Sequence, residues 1–248
     1  MRVVDLDDFS DGLSVRLARR TVAGLCSSLR SFLRFLRMTG RIRRDFASCI
    51  VAPRFRVDER PPRALPWESV RQILRAIPRD GRIGRRDFAM LLLMAVYGLG
   101  AGEIVRLRLD DVDWSGRVLR VRRPKTGVLI ELPLLPAVAR ALAAYLRRGR
   151  PGGTTTRELF VTAGFPHRSI TSSVLRHQVR KYATRAGVVV AVLGAHVFRH
   201  SHATRQIDAG APAKIVGDIL GHRRPSSTSV YVRVALRRLR TVGLPVPR

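Results

Sequence analysis

The sequence predicts a mainly α-helical fold with one small antiparallel β-sheet, in a short N-terminal helical part and a larger C-terminal domain. Three observations carry that prediction. Apolar residues recur at three- and four-residue spacing through most of the 248 residues. The period shortens to two only between residues 118 and 132. A segment with four prolines and six charges, residues 53–66, separates the two helical stretches.

In chain order, residues 21–38 form the first helix. Val22, Leu25, Leu29, Phe32, Leu33 and Leu36 make its apolar face, Arg30, Arg34 and Arg37 turn outward, and Gly40 stops it. A short second helix is expected over residues 45–51. Residues 1–52 thus read as a small helical module with a basic outer face, too short to bury much of a core by itself. Residues 53–66 are the linker, and residues 67–248 the larger domain.

From Trp67, Val70, Ile73, Leu74 and Ile77 share one stripe. Residues 85–97 are apolar nearly all round and read as the buried central helix. A shorter helical run carries Glu103, Ile104 and Leu107. Trp114 to Arg117 is a turn, and residues 118–122 and 128–132 alternate on either side of Pro124-Lys125-Thr126-Gly127. That is a hairpin with a lysine in its loop. Helices resume at 136–148, 170–186, 198–208 and 213–220, the last three followed by Gly187, Gly210 and Gly221.

An apolar content of 46% with 26% charged residues is that of a globular chain. The 47 basic residues are overwhelmingly arginine, are spread over nearly every helix, and leave a formal net charge of +29. High-GC codon usage accounts for arginine over lysine but not for the excess of base over acid. A basic surface this pervasive points to a polyanionic partner, a nucleic acid. Cys26 and Cys49 lie in apolar contexts and read as buried thiols, not a disulfide framework. Asp5, Asp7 and Asp8 take the place of a signal core, and the run 88–102 falls short of the ~18 apolar residues of a membrane span. A cytoplasmic, nucleoid-associated protein without a membrane partner is expected.

The chemistry concentrates in the last quarter, in Ala195-His196-Val197-Phe198-Arg199-His200, Leu220-Gly221-His222 and Tyr231. His196 and Arg199 are three apart and share a helical face. Gly98-Leu99-Gly100-Ala101-Gly102 resembles half of a dinucleotide-binding loop, but the third glycine would be Glu103 and no strand–helix alternation follows. His196, His200 and His202 lack the glutamate and cysteines of a zinc site, and Arg199 between them repels a cation. Arg199, His196, His222, Tyr231 and the loop Lys125 together supply a phosphate clamp, proton-transfer groups, a nucleophile and a leaving-group acid. A phosphodiester is the substrate that uses all of them. No paired carboxylates provide a two-metal site, so neither a metal nor another cofactor is expected.

These residues resemble the phage-integrase family of tyrosine recombinases. His196 to His200, Ala209-Gly210-Ala211, Leu220-Gly221-His222 and Tyr231 are similar to its C-terminal signature in order and spacing. Arg30 to Leu36 resembles the later helices of its N-terminal core-binding domain, a domain that is normally longer. The resemblance implies that Tyr231 attacks the scissile phosphate, forming a 3′-phosphotyrosyl bond. It implies further that Lys125 protonates the leaving 5′ oxygen, Arg199 and His222 bind the non-bridging oxygens, His196 handles the tyrosine proton and Glu103 braces the site. The implied partner is double-stranded DNA, held by a homotetramer or with a partner recombinase, with residues 233–248 as the exchanged segment.

One position departs from the pattern. The family has Gly-Leu-Arg where this chain reads Gly98-Leu99-Gly100, with the acidic residue, Glu103, in place. Arg106 and Arg108 lie on a helix leading away and do not substitute. Losing a charged clamp costs at least the ~10²–10³ in rate of a neutral oxyanion donor. The expectation is a recombinase by descent with impaired cleavage. The alternatives are a DNA-binding relic or regulator that keeps only the fold, and a basic RNA-binding protein, which leaves the ordered cluster unexplained.

Overall fold

A computed structural model of the protein describes residues 3–53, 64–124, 127–189, 194 and 196–221. The chain divides into two units, Met1–Arg60 and Pro61–Arg248.

The first unit is a helical pair, α1 (Val3–Arg16) and α2 (Arg19–Met38). Helix α1 has only a faint apolar stripe and was not anticipated; Leu6 is its buried contribution to a core of Val22, Cys26, Leu33, Phe46, Ala47 and Ile50. The buried face of α2 is Val22, Cys26 and Leu33, with Leu29 and Leu36 partly covered. Leu25 and Phe32, expected on that face, are exposed. They sit roughly 60–80° around the helix from Val22, outside the narrow strip that this small core covers. The helix expected over 45–51 is instead a turn at residues 47–49. The Asp45 carboxylate accepts the Ala47 N–H at 3.0 Å, a local side-chain bond that competes with helix formation. Arg30 is drawn inward from α2 to donate to the Ile50 carbonyl at 2.9 Å, so it does not simply face solvent.

The second unit holds α3 (Trp67–Arg75), α4 (Arg82–Tyr97), α5 (Ala101–Ile104), strands β1 (Val112–Asp113), β2 (Val118–Arg122) and β3 (Leu129–Pro133), then α6 (Pro136–Arg148), α7 (Ser172–Arg185), α8 (His196–Asp208) and α9 (Ala213–Leu220). The strands form one antiparallel sheet in the order β1-β2-β3, with Leu119 opposite Leu132 and Val121 opposite Ile130. The fold is mainly α with a small antiparallel sheet, as the periodicities predict, and β1 adds a third strand to the hairpin. Helix α4 is the axis of the core: Met90, Leu91, Leu93 and Met94 are fully buried, and α6 and α8 pack on it.

A buried ion pair within α4, Arg86 with Asp87, is tied to α7 by the Tyr182 hydroxyl. Asp87 accepts from Arg86 at 2.8 Å and from the Tyr182 hydroxyl at 2.8 Å, while Arg86 donates to the Val161 carbonyl at 3.1 Å. Pairing and hydrogen bonding on every side are what allow a charge to stay in a core. Burial, then the Asp87 charge, push the Tyr182 phenol well above its ordinary pKa, so it remains a donor.

Helix α4 ends at Gly98, which adopts φ +63°. A β-carbon there would lie 2.8 Å from both the His202 ring and a Leu220 methyl, so glycine is needed for conformation and for space. His202 is buried and bonds the Ala95 carbonyl through Nδ1 at 3.1 Å, which makes it a packed helix residue. The exit from α4, the face of α8 and the end of α9 therefore meet at one place.

Candidate active site

Three parts of the chain deliver charge to that place. The first is the start of α5. Gly100 is its N-cap in extended conformation (φ −78°, ψ 159°), and its N–H donates to Glu103 Oε2 at 2.6 Å. An acidic side chain three residues into a helix caps its first turn in this way. The bond turns the Glu103 carboxylate inward, where the residue is 6% exposed.

The second is the end of β2. Leu119 and Val121 face the core, Arg122 is exposed, and Arg123 follows the alternation back inside, 5% exposed. Its backbone is held by the hairpin: the Arg123 N–H donates to the Val128 carbonyl and the Gly127 N–H to the Arg123 carbonyl, each at 2.8 Å. Its Nη1 donates to Glu103 Oε1 in a close ion pair, and its Nη2 to the Ile219 carbonyl.

The third is the first turn of α8. Arg199 Nη1 donates to Glu103 Oε2 at 3.1 Å, and Nη2 donates to the Leu220 carbonyl. His196 is the first residue of α8, exposed and one turn from Arg199 on the same face.

Glu103 thus bridges two guanidiniums, and both also reach the last carbonyls of α9. Those carbonyls carry the negative end of the helix dipole and have no partner within the helix, so cations are stabilising there. Gly221 closes α9 at φ +68°, and a β-carbon on it would stand only 3.2 Å from Arg123 Nε. Arg123 packs against this glycine at a distance that a side chain would crowd. The three charged groups sum to +1, and a single anion, such as one phosphodiester, neutralises them.

Glu103, Arg199 and His196 lie among the described residues, the first two in direct contact. Lys125, His222 and Tyr231, and the segment 233–248, lie outside them. In sequence, Lys125 is two residues beyond Arg123 and His222 directly follows Gly221. Arg106 and Arg108 are exposed. Arg123 has no part in the sequence reading, although the two-residue alternation from Leu119 places it on the inward face. Its position in a run of basic residues disguised it as surface charge.

Residues 63–238 match the phage integrase family. The Sinorhizobium fredii protein y4rA, named as an integrase/recombinase, is 38% identical over the whole of this chain, which spans 60% of that relative. The tyrosine recombinase XerD of Proteus mirabilis is 32% identical over 90% of the chain and 70% of its own length. Among solved structures, XerH recombinase bound to a palindromic difH substrate superposes with a TM-score of 0.83 at 17% identity, over 98% of this chain and 71% of that one. A lambda integrase dimer bound to a core site gives 0.70 at 16% identity, over 93% of this chain and 79% of that one.

Proposed function

The chain belongs to the phage integrase family, and on that premise we propose that it binds duplex DNA and exchanges strands through a 3′-phosphotyrosyl intermediate. Tyr231 attacks the scissile phosphorus. The bond from phosphorus to the 5′ oxygen breaks, and the bond to the tyrosine oxygen forms. His196 takes the tyrosine proton and Lys125 gives one to the leaving 5′ oxygen. Arg199 and His222 hold the non-bridging oxygens as charge moves onto them, and Glu103 keeps Arg199 oriented. The 5′ hydroxyl of a second strand reverses the attack, so the bond energy stays in the DNA and no nucleotide is consumed.

The observation that supports this reading most is the buried bridge of Glu103 between Arg199 and Arg123, a cluster of net charge +1 at the end of α9. Two guanidiniums sharing one buried carboxylate are costly to desolvate, and a phosphodiester offsets that cost. The similar XerH and lambda integrase structures are bound to DNA, the latter as a dimer. Assembly of this chain on DNA, as a homotetramer or with a partner recombinase, belongs to the same proposal.

Covalent trapping tests it. A duplex selected for binding from a random-sequence library, nicked at successive positions, is incubated with the protein and resolved on a denaturing gel. A covalent protein–DNA band that disappears with Tyr231→Phe is expected. The second reading, a non-catalytic DNA-binding relic, is favoured by Gly100; retained binding with no band at any nick selects it.

A further inference from the structure

Resting on the reading that this cluster holds a phosphodiester, we infer that Arg123 supplies the second guanidinium of the clamp, the charge that residue 100 does not carry. Gly100 is buried, and a β-carbon built on it lies 3.5 Å from Arg199 Nη1 and 3.5 Å from Glu103 Oε2. A guanidinium sent from position 100 would therefore start between these two groups. Arg123 comes to the same carboxylate from the other side, off the end of β2, and bonds Oε1 while Arg199 bonds Oε2. Two guanidiniums share one carboxylate, and residue 100 adds only its backbone N–H to Oε2, with no charge of its own.

The environment of Arg123 asks for an anion. Of its five N–H groups, one is directed at Glu103 and one at the Ile219 carbonyl, while Nε has no acceptor among the described residues. The residue is 5% exposed, and Glu103, the one carboxylate it pairs with among the described residues, is shared with Arg199. Arg123 leaves Nε buried without an acceptor among the described residues and shares its carboxylate with a second guanidinium. A phosphodiester at this guanidinium balances the charge. In sequence, Lys125 is two residues beyond Arg123, and His222 is the residue after Gly221, on which Arg123 packs.

The test separates this assignment from the cleavage reading by using binding alone. In a Tyr231→Phe background, the selected duplex is scanned with a single neutral methylphosphonate at each position in turn. Among the contacted phosphates, the largest loss of affinity, on the order of 10-fold, is expected at one position per bound protomer, as for removal of a charge-assisted hydrogen bond. Arg123→Ala should shrink the loss at that position and leave the effects of all other phosphates intact. Arg123→Gln, which keeps a donor for Ile219, serves if the alanine variant does not fold. Adding Gly100→Arg to either variant should restore the sensitivity. A purely structural Arg123 predicts a methylphosphonate profile of unchanged pattern in every variant, and that result overturns the assignment. Position-specific coupling in a protein whose Tyr231 form never traps DNA would keep the clamp and remove the cleavage proposal. Trapping without coupling would do the reverse.

Discussion

Glu103 and Arg199, 96 residues apart in sequence, are joined by a 3.1 Å ion pair that also receives the Gly100 N–H at 2.6 Å on the same oxygen. The α5 cap, the α8 arginine and, through Leu220, the end of α9 are thereby one hydrogen-bonded unit. Glu103→Gln removes the charge and leaves two guanidiniums facing each other with the cap weakened. Breaking a buried pair from one side costs about 3–5 kcal/mol. Urea unfolding of the variant should show a loss in that range, and a loss under ~1 kcal/mol would mean that water already compensates the pair.

Gly98 and Gly100 should respond to alanine in opposite ways. At Gly98 the positive φ and the two 2.8 Å approaches to His202 and Leu220 make Gly98→Ala destabilising. The left-handed conformation alone contributes roughly 1–2 kcal/mol. At Gly100 the backbone is extended and the new β-carbon makes ordinary contacts at 3.5 Å. Gly100→Ala should therefore be neutral, or stabilise by about 0.4–1 kcal/mol through the unfolded chain. Thermal melts of the two variants check this, and equal losses would contradict the geometry.

The contrast shows what the sequence made legible. Helical periodicity located α4, α6 and α9 because each buries a continuous stripe, and alternation located the hairpin. Gly98 and Gly221 were readable as helix stops, but their tight packing on His202 and Arg123 is tertiary and leaves no local trace. Arg123 was legible in principle, since Leu119, Val121 and Arg123 share a parity, yet charge outweighed register in judging it. Leu25 and Phe32 misled for the converse reason: an apolar side chain at helical spacing is buried only if a partner covers that sector. Helix α1 has too faint a stripe to announce itself.

His202 sets a pH limit on this region. Burial, and secondarily the charges of Arg199 and Arg205, hold its imidazole pKa below the ordinary 6.5, with the Ala95 carbonyl opposing. Its folded pKa is depressed relative to the unfolded chain, so the stability tied to its neutral form is complete above pH ~6.5. That stability is lost as pH falls from there toward the folded value, where the ring must charge inside the core. The melting temperature should drop between pH 7.5 and 5.5, and His202→Gln should flatten that drop while lowering stability at pH 7.5. An unchanged pH slope in the variant would assign the acid sensitivity to other groups.

DNA binding by a chain of net charge +29 should be governed by counterion release. With about 6–10 phosphate contacts, affinity for a duplex of arbitrary sequence falls by roughly 10³–10⁵ between 50 and 200 mM salt. Most of the arginines responsible are spread over many helices and act additively, so any one surface substitution should lower the log–log slope by about 1 at most. Arg199 is different, because it lies 15% exposed against Glu103 and the end of α9 and, under the proposed function, meets one particular phosphate. Arg199→Ala should therefore weaken the selected duplex more than a random one. The surface variant Arg147→Ala should weaken both alike. Fluorescence anisotropy at four salt concentrations on both duplexes distinguishes the cases. Equal weakening by Arg199→Ala on the two duplexes would make Arg199 one more surface cation and leave the cluster without a defined phosphate.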